Sequence, residues 1–178
     1  MLNGWHGDAC ITVVVPGGDQ QLTQARERLS AITREAMWHG IAAMATGKRV
    51  GDIGNAIDDY VCTIAPAERP DIVLDFTGHG IGTQMHLDPE VVNFRSNRRG
   101  AKLKPGMVLC IEPILTAGNQ ANVTLDDEWT VVTQDGQDAC HWEHEVALHS
   151  HGIWVLTAPD GGAAELARFG ITPVPLSE

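Results

Sequence analysis

The chain is 178 residues long, with 43% hydrophobic and 20% charged residues. That is room for one compact domain at roughly 100–200 residues per domain, and the proportions exclude a wholly disordered chain. Twelve Lys and Arg against 23 Asp and Glu give a formal charge of −11, a field that repels nucleic acid and anionic membranes.

No run approaches the ~18 consecutive apolar residues of a membrane span. Residues 1–8 carry neither the basic nor the apolar region of a secretory signal, so the expectation is a soluble cytoplasmic protein without nucleic-acid or membrane partners. Four cysteines, Cys10, Cys62, Cys110 and Cys140, form no C-x-x-C pair. They read as reduced thiols in or near the core.

In chain order, the β-branched run 10–15 closes on Pro16, Gly17, Gly18 and Asp19 and reads as a strand ending in a turn. Leu22, Ala25, Leu29, Ile32, Ala36, Met37, Ile41 and Met44 recur at helical spacing and predict a long amphipathic helix over 22–44, capped by Gly47. A second helix is expected from Asp52 as N-cap to before Pro66, burying Ile53, Ala56, Ile57, Tyr60, Val61 and Ile64.

Beyond Pro70 the pattern changes to short apolar runs at 72–76, 107–113, 129–133, 140–148 and 153–156, read as strands. Residues 91–103, with Arg95, Arg98, Arg99 and Lys102, read as a solvated basic loop. Residues 161–178 offer a weak helical patch at 163–169 and a loosely ordered Pro-rich end.

The chemistry concentrates in five short segments: His6-Gly7-Asp8, Gly78-His79-Gly80-Ile81-Gly82, His86-Leu87-Asp88-Pro89, Ile111-Glu112-Pro113 and Glu143-His144-Glu145. Glu112 and Glu143 lie in apolar strand-like runs, where an acid is costly unless it is paired or binds a metal. Glycines on both sides of His79 permit either close backbone approach or positive φ. An Asp, His, Glu, Glu set offers mainly oxygen ligands with one imidazole, which suits Mn, Fe, Co or Zn hydrolytic centres, and bridging carboxylates let two metals share one site. His141, His144, His149 and His151 alternate along a strand, which separates their faces and assigns them structural or surface roles.

The order of HGD, GHGIG, a His seven positions after the first, KPGMVLCIEP, a Trp-Thr-Val strand and WEHEVAL resembles the type I methionine aminopeptidases of the pita-bread metallopeptidase fold. The resemblance implies an α+β pita-bread fold, a curved antiparallel sheet with helices on its outer face. It places an M24 peptidase-like domain at residues 1–158, incomplete at its N-terminus, and a C-terminal tail at 159–178. It also implies an enzyme that removes N-terminal methionine from peptides and nascent proteins by hydroxide attack at a centre of two divalent ions (Co, Mn, Fe or Zn).

By the same resemblance Asp8, His79, Glu112 and Glu143 are metal ligands. Glu112 is also the proton carrier, His86 contacts the substrate and stabilises charge on its carbonyl, and Met85 and Trp129 line the methionine pocket. The alternatives are a non-catalytic pita-bread relative that binds a peptide or partner, an inactive fragment, or an X-Pro aminopeptidase. The family's other metal-binding Asp precedes HGD and has no counterpart here. The resemblance therefore implies a truncated sheet with an uncovered edge and one metal short of a chelating partner.

Overall fold

The computed structural model describes residues 1–176. Two helices come first, α1 at Gln20–Thr46 and α2 at Gly51–Thr63. Strands β1 Asp71–Ile72, β2 Gly78–Gly80, β3 Leu87–Val91, β4 Val108–Ile111, β5 Ile114–Thr116, β6 Asn122–Thr124, β7 Val131–Thr133, β8 Ala139–His141, β9 His144–His149 and β10 Gly152–Val155 follow, then a short helix α3 at Ala163–Leu166 that runs into a 3-10 turn. All strand pairs are antiparallel: a five-stranded sheet in the order β10-β9-β4-β2-β3, a three-stranded sheet β1-β5-β8 and the hairpin β6-β7.

The two larger sheets are parts of one ladder. In β4 and β9, Ile111 lies opposite His144, and in β5 and β8, Ile114 lies opposite His141. The same register therefore runs through the interruption and sets Glu112 opposite Glu143. Proline cannot donate to a ladder, and Pro113 sits at that break.

Alternation along the strands decides which side chains meet the helices. Leu109, Ile111, Val146, Ile153 and Val155 join Met37, Ile41, Met44, Ile53 and Ile57 in one core. Trp38 of α1 packs against His144, with ring centroids 5.1 Å apart, so Glu143 and Glu145, one position either side, turn to the opposite face. That face holds the ionisable cluster.

α1 starts at the Asp19 N-cap, whose Oδ1 accepts from the Leu22 N–H at 2.9 Å, and Gly47 closes it as expected. Leu22 and Ala25, part of the helix's apolar spacing, are exposed, because packing begins only at Leu29. The expected N-cap of α2 is also corrected. Val50 holds that position, and Asp52, inside the first turn, folds its carboxylate back to accept from the N–H groups of Lys48 at 2.8 Å and Arg49 at 3.0 Å.

The largest departure is at 10–15. The segment runs extended but forms only an isolated bridge between Cys10 and Glu143, and Ile11, Val13 and Val15 are 65%, 71% and 78% exposed. Only one of its edges meets a neighbour, through the Cys10 bridge and a 2.6 Å hydrogen bond from Thr12 Oγ1 to the His141 carbonyl. A regular strand is not assigned there. The 72–76 run likewise shortens to β1, the 107–113 run shortens to β4, and the 140–148 run breaks at Trp142 and Glu143.

The basic loop is pinned rather than freely solvated. Its backbone bonds to Lys48, Val50 and Gly51, and Arg95 pairs with Asp59. The C-terminal region is also better ordered than expected: Val174 N–H donates to the Ile153 carbonyl at 3.0 Å, and Leu166 is fully buried. The four cysteines are free, but Cys62 is exposed, contrary to the expected core position.

Gly54 lets α2 approach the strand side closely. A Cβ there would stand 2.4 Å from the Val92 carbonyl oxygen and 2.6 Å from that of Phe94. Alanine gains about 1 kcal/mol of helix propensity over glycine, but an overpacked contact with rigid backbone costs roughly 1–3 kcal/mol, so the clash outweighs the gain. Gly54→Ala is expected to lower the midpoint of chemical denaturation with an unchanged m-value; a raised midpoint would show that α2 can shift outward freely.

Candidate metal centre

The residues that converge come from four separate parts of the chain. Asp8 arrives on the segment that bridges to Glu143, His79 on β2, Glu112 just after β4, and Glu143 just before β9. One ligand atom each from Asp8, His79, Cys110 and Glu143 lie within 4.8 Å of one another, and so do one each from Glu112, His141 and Glu143. Metal–ligand bonds of about 2.0–2.2 Å are compatible with both groups after small side-chain rotations.

The glycines around His79 serve close approach, not positive φ, since neither Gly78 nor Gly80 has positive φ. A Cβ at Gly78 would stand 2.2 Å from the Cys110 carbonyl oxygen, so only glycine lets β2 lie this close to β4. His79 Nδ1 is 3.0 Å from the Gly80 carbonyl oxygen. A carbonyl only accepts, so Nδ1 carries a proton, and in the neutral imidazole Nε2 presents a lone pair to the site.

That lone pair faces oxygen. His79 Nε2 lies 3.2 Å from Glu112 Oε1 and 3.9 Å from Asp8 Oδ2, and the 3.2 Å contact lacks hydrogen-bond alignment, leaving Glu112 Oε1 without a partner. Glu143 is 3% exposed, and its Oε1 is also unpartnered, as is His141 Nε2. Native structures rarely leave buried polar atoms unsatisfied. Three such atoms converging with a bare imidazole nitrogen form a donor set that fits a divalent cation.

The electrostatics agree. Burial, reinforced by the negative charges of Glu112 and Asp8, pushes the Glu143 carboxyl up to about 7. Burial and the neighbouring Glu143 charge raise the Cys110 thiol well above its ordinary range. Burial also raises Glu145, whose Oε2 accepts from the Asp8 N–H at 3.2 Å and so fixes the HGD segment.

The other expected residues lie around this centre. His86 packs edge-on against His79 with ring centroids 4.5 Å apart. Trp129, 87% exposed, lines an apolar cleft of about 470 Å³ together with Phe76, Ile114, Val131, Cys140 and His141. Met85 is half-exposed on the loop between β2 and β3 and does not line that cleft. His141, expected in a structural or surface role, joins the cluster, as does Cys110. The signal was period-two spacing: positions 141, 143 and 145 share a face of an extended strand.

Residues 1–150 match metallopeptidase family M24, and the chain belongs to that family. It is 46% identical over 159 residues to methionine aminopeptidase 1 of Mycobacterium tuberculosis, covering 88% of this chain and 58% of that protein. It is 44% identical to a methionine aminopeptidase of Clostridium perfringens, covering 88% of this chain and 59% of that one. The crystal structure of methionine aminopeptidase from Rickettsia prowazekii superposes with a TM-score of 0.78 at 34% identity, covering 88% of this chain and 60% of that one. The chain thus spans about three fifths of the length of the relatives it matches. Among the described residues no helix is long and apolar enough to cross a membrane.

The raised Glu143 carboxyl has a consequence for stability. Its ordinary value is 4.5 and its folded value about 7, so the folded protein holds a proton that the unfolded chain releases in between. The stability tied to that proton is complete below the lower value and is lost as pH rises through the upper one, amounting to roughly 3 kcal/mol at most. In chelator-treated protein, Glu143→Gln is expected to raise Tm relative to wild type at pH 8 more than at pH 5. A difference independent of pH would show that the carboxyl titrates normally.

Proposed function

We propose that the chain is a metal-dependent aminopeptidase that removes N-terminal methionine from peptides and proteins. The observation that carries this reading is the convergence of Asp8, His79, Glu112 and Glu143 around unpartnered buried atoms, beside an apolar cleft walled by Phe76, Ile114 and Trp129. Relatives named methionine aminopeptidases support the choice of substrate.

Two divalent ions, drawn from Co, Mn, Fe and Zn, would be held by Asp8, His79, Glu112 and Glu143. When bound, they supply Lewis acidity toward a carbonyl oxygen and lower the pKa of water. The residues do the rest. Glu112 sits where one carboxylate can take a proton from the attacking water and deliver it to the leaving amine. His86, beside His79 and open to solvent, is placed to donate to the scissile carbonyl oxygen as charge develops there. The cleft offers an apolar surface to a side chain, for which burial contributes roughly 1.5–3 kcal/mol, and the exposed Trp129 ring forms part of its wall.

The test is release of methionine from Met-Ala-Ser by the chain supplied with Mn or Co, with an Xaa-Pro peptide in parallel. Methionine release that chelator abolishes is expected. Glu112→Gln is expected to lower kcat about 100-fold or more, and His86→Ala to lower kcat/KM while metal uptake, read by calorimetry, stays at the wild-type level. Cleavage confined to the Xaa-Pro peptide would move the assignment to X-Pro hydrolysis, and uptake of metal without cleavage of either peptide would leave a binding protein.

A further inference from the structure

His141 is the one residue of the cluster that the ordered motifs did not mark. Its Nε2 is buried, has no hydrogen-bond partner, and lies 3.6 Å from Glu112 Oε2. With one oxygen each from Glu112 and Glu143, it forms a group whose ligand atoms all lie within 4.8 Å of one another. Glu143 is 3% exposed with its own Oε1 unpartnered, so two residues of this group each carry an orphaned buried atom.

We propose that His141 is a metal ligand, its Nε2 completing with Glu112 and Glu143 a second cation position beside the one bounded by Asp8, His79 and Glu143. The inference rests on the metallopeptidase reading and deepens it. Glu112 then contributes to both positions, since Oε1 faces His79 and Oε2 faces His141, and Glu143 belongs to both groups.

Three features suit His141 to this role. It ends β8, where its register partner is Ile114 and its carbonyl accepts from Thr12 Oγ1 at 2.6 Å, so its backbone is held from both sides and the ring starts from a rigid position. It lines the apolar cleft, which gives an ion a route from solvent. Of its companions in the His-rich stretch, His144 bonds to Thr157 Oγ1 at 2.7 Å and His149 to the Val174 carbonyl at 2.9 Å. One imidazole with two carboxylates favours Mn, Fe, Co or Zn over Mg or Ca.

Zn titration of the chain, followed by calorimetry and by 15N spectra of its histidine rings, tests the assignment. Wild type is expected to take up two equivalents, one shifting the Nε2 resonance of His79 and the other that of His141. His141→Ala should keep the equivalent that reports at His79, which also shows that the variant is folded, and weaken the other about tenfold or more. His141→Asp, which returns an oxygen ligand, should recover it, whereas a merely structural ring would not be replaced by a carboxylate. Two equivalents bound by His141→Ala as tightly as by wild type, or a His141 resonance unmoved at saturation, overturns the role of His141 and leaves the site around His79 standing. A wild type that takes up no metal overturns both this inference and the metallopeptidase reading.

Discussion

Two carboxylates facing one another across an antiparallel ladder set the terms for the rest of the molecule. Glu112 and Glu143 occupy the interruption between β4 and β5 on one side and β8 and β9 on the other, in a register continuous across the gap. Like charges directly opposite on a sheet are destabilising; burial first, and then the charges of Glu112 and Asp8, raise the Glu143 carboxyl. A fold that keeps such a pair must both hold it by force from elsewhere and offset it with positive charge. The unpartnered Glu112 Oε1, Glu143 Oε1 and His141 Nε2 are where such a charge would be held.

The force comes from the far side of the sheet. Met37, Ile41, Ile53 and Ile57 of the two helices bury Leu109, Ile111 and Val146, the residues that alternate with the site-facing ones. Each site residue is thereby anchored through neighbours of opposite direction: Glu112 by Ile111, Glu143 and Glu145 by His144 and its contact with Trp38. The core thus preorganises the cluster.

Two polar devices finish the arrangement. The Gly80 carbonyl selects the His79 tautomer that leaves Nε2 free, the usual way a protein orients a ligating imidazole. Glu145 receives the Asp8 N–H and so ties a segment with little regular structure of its own to β9. That hydrogen bond and the Cys10 bridge to Glu143 together hold the Asp8 backbone against the sheet.

The sequence by itself determined the two helices, the succession of short strands, the family and the residues Asp8, His79, Glu112 and Glu143, because helical periodicity and short dense motifs are local signals. It did not determine the Asp52 contacts, the exposure of Leu22 and Ala25, or the failure of 10–15 to pair, since each depends on what stands opposite and composition carries no such information. His141 was the clearest loss. Its spacing from Glu143 was readable, but whether that face met solvent or two carboxylates depended on the register between strands some thirty positions apart, and only the tertiary structure, by seating α1 and α2 against the other face, decided that the ring turns inward.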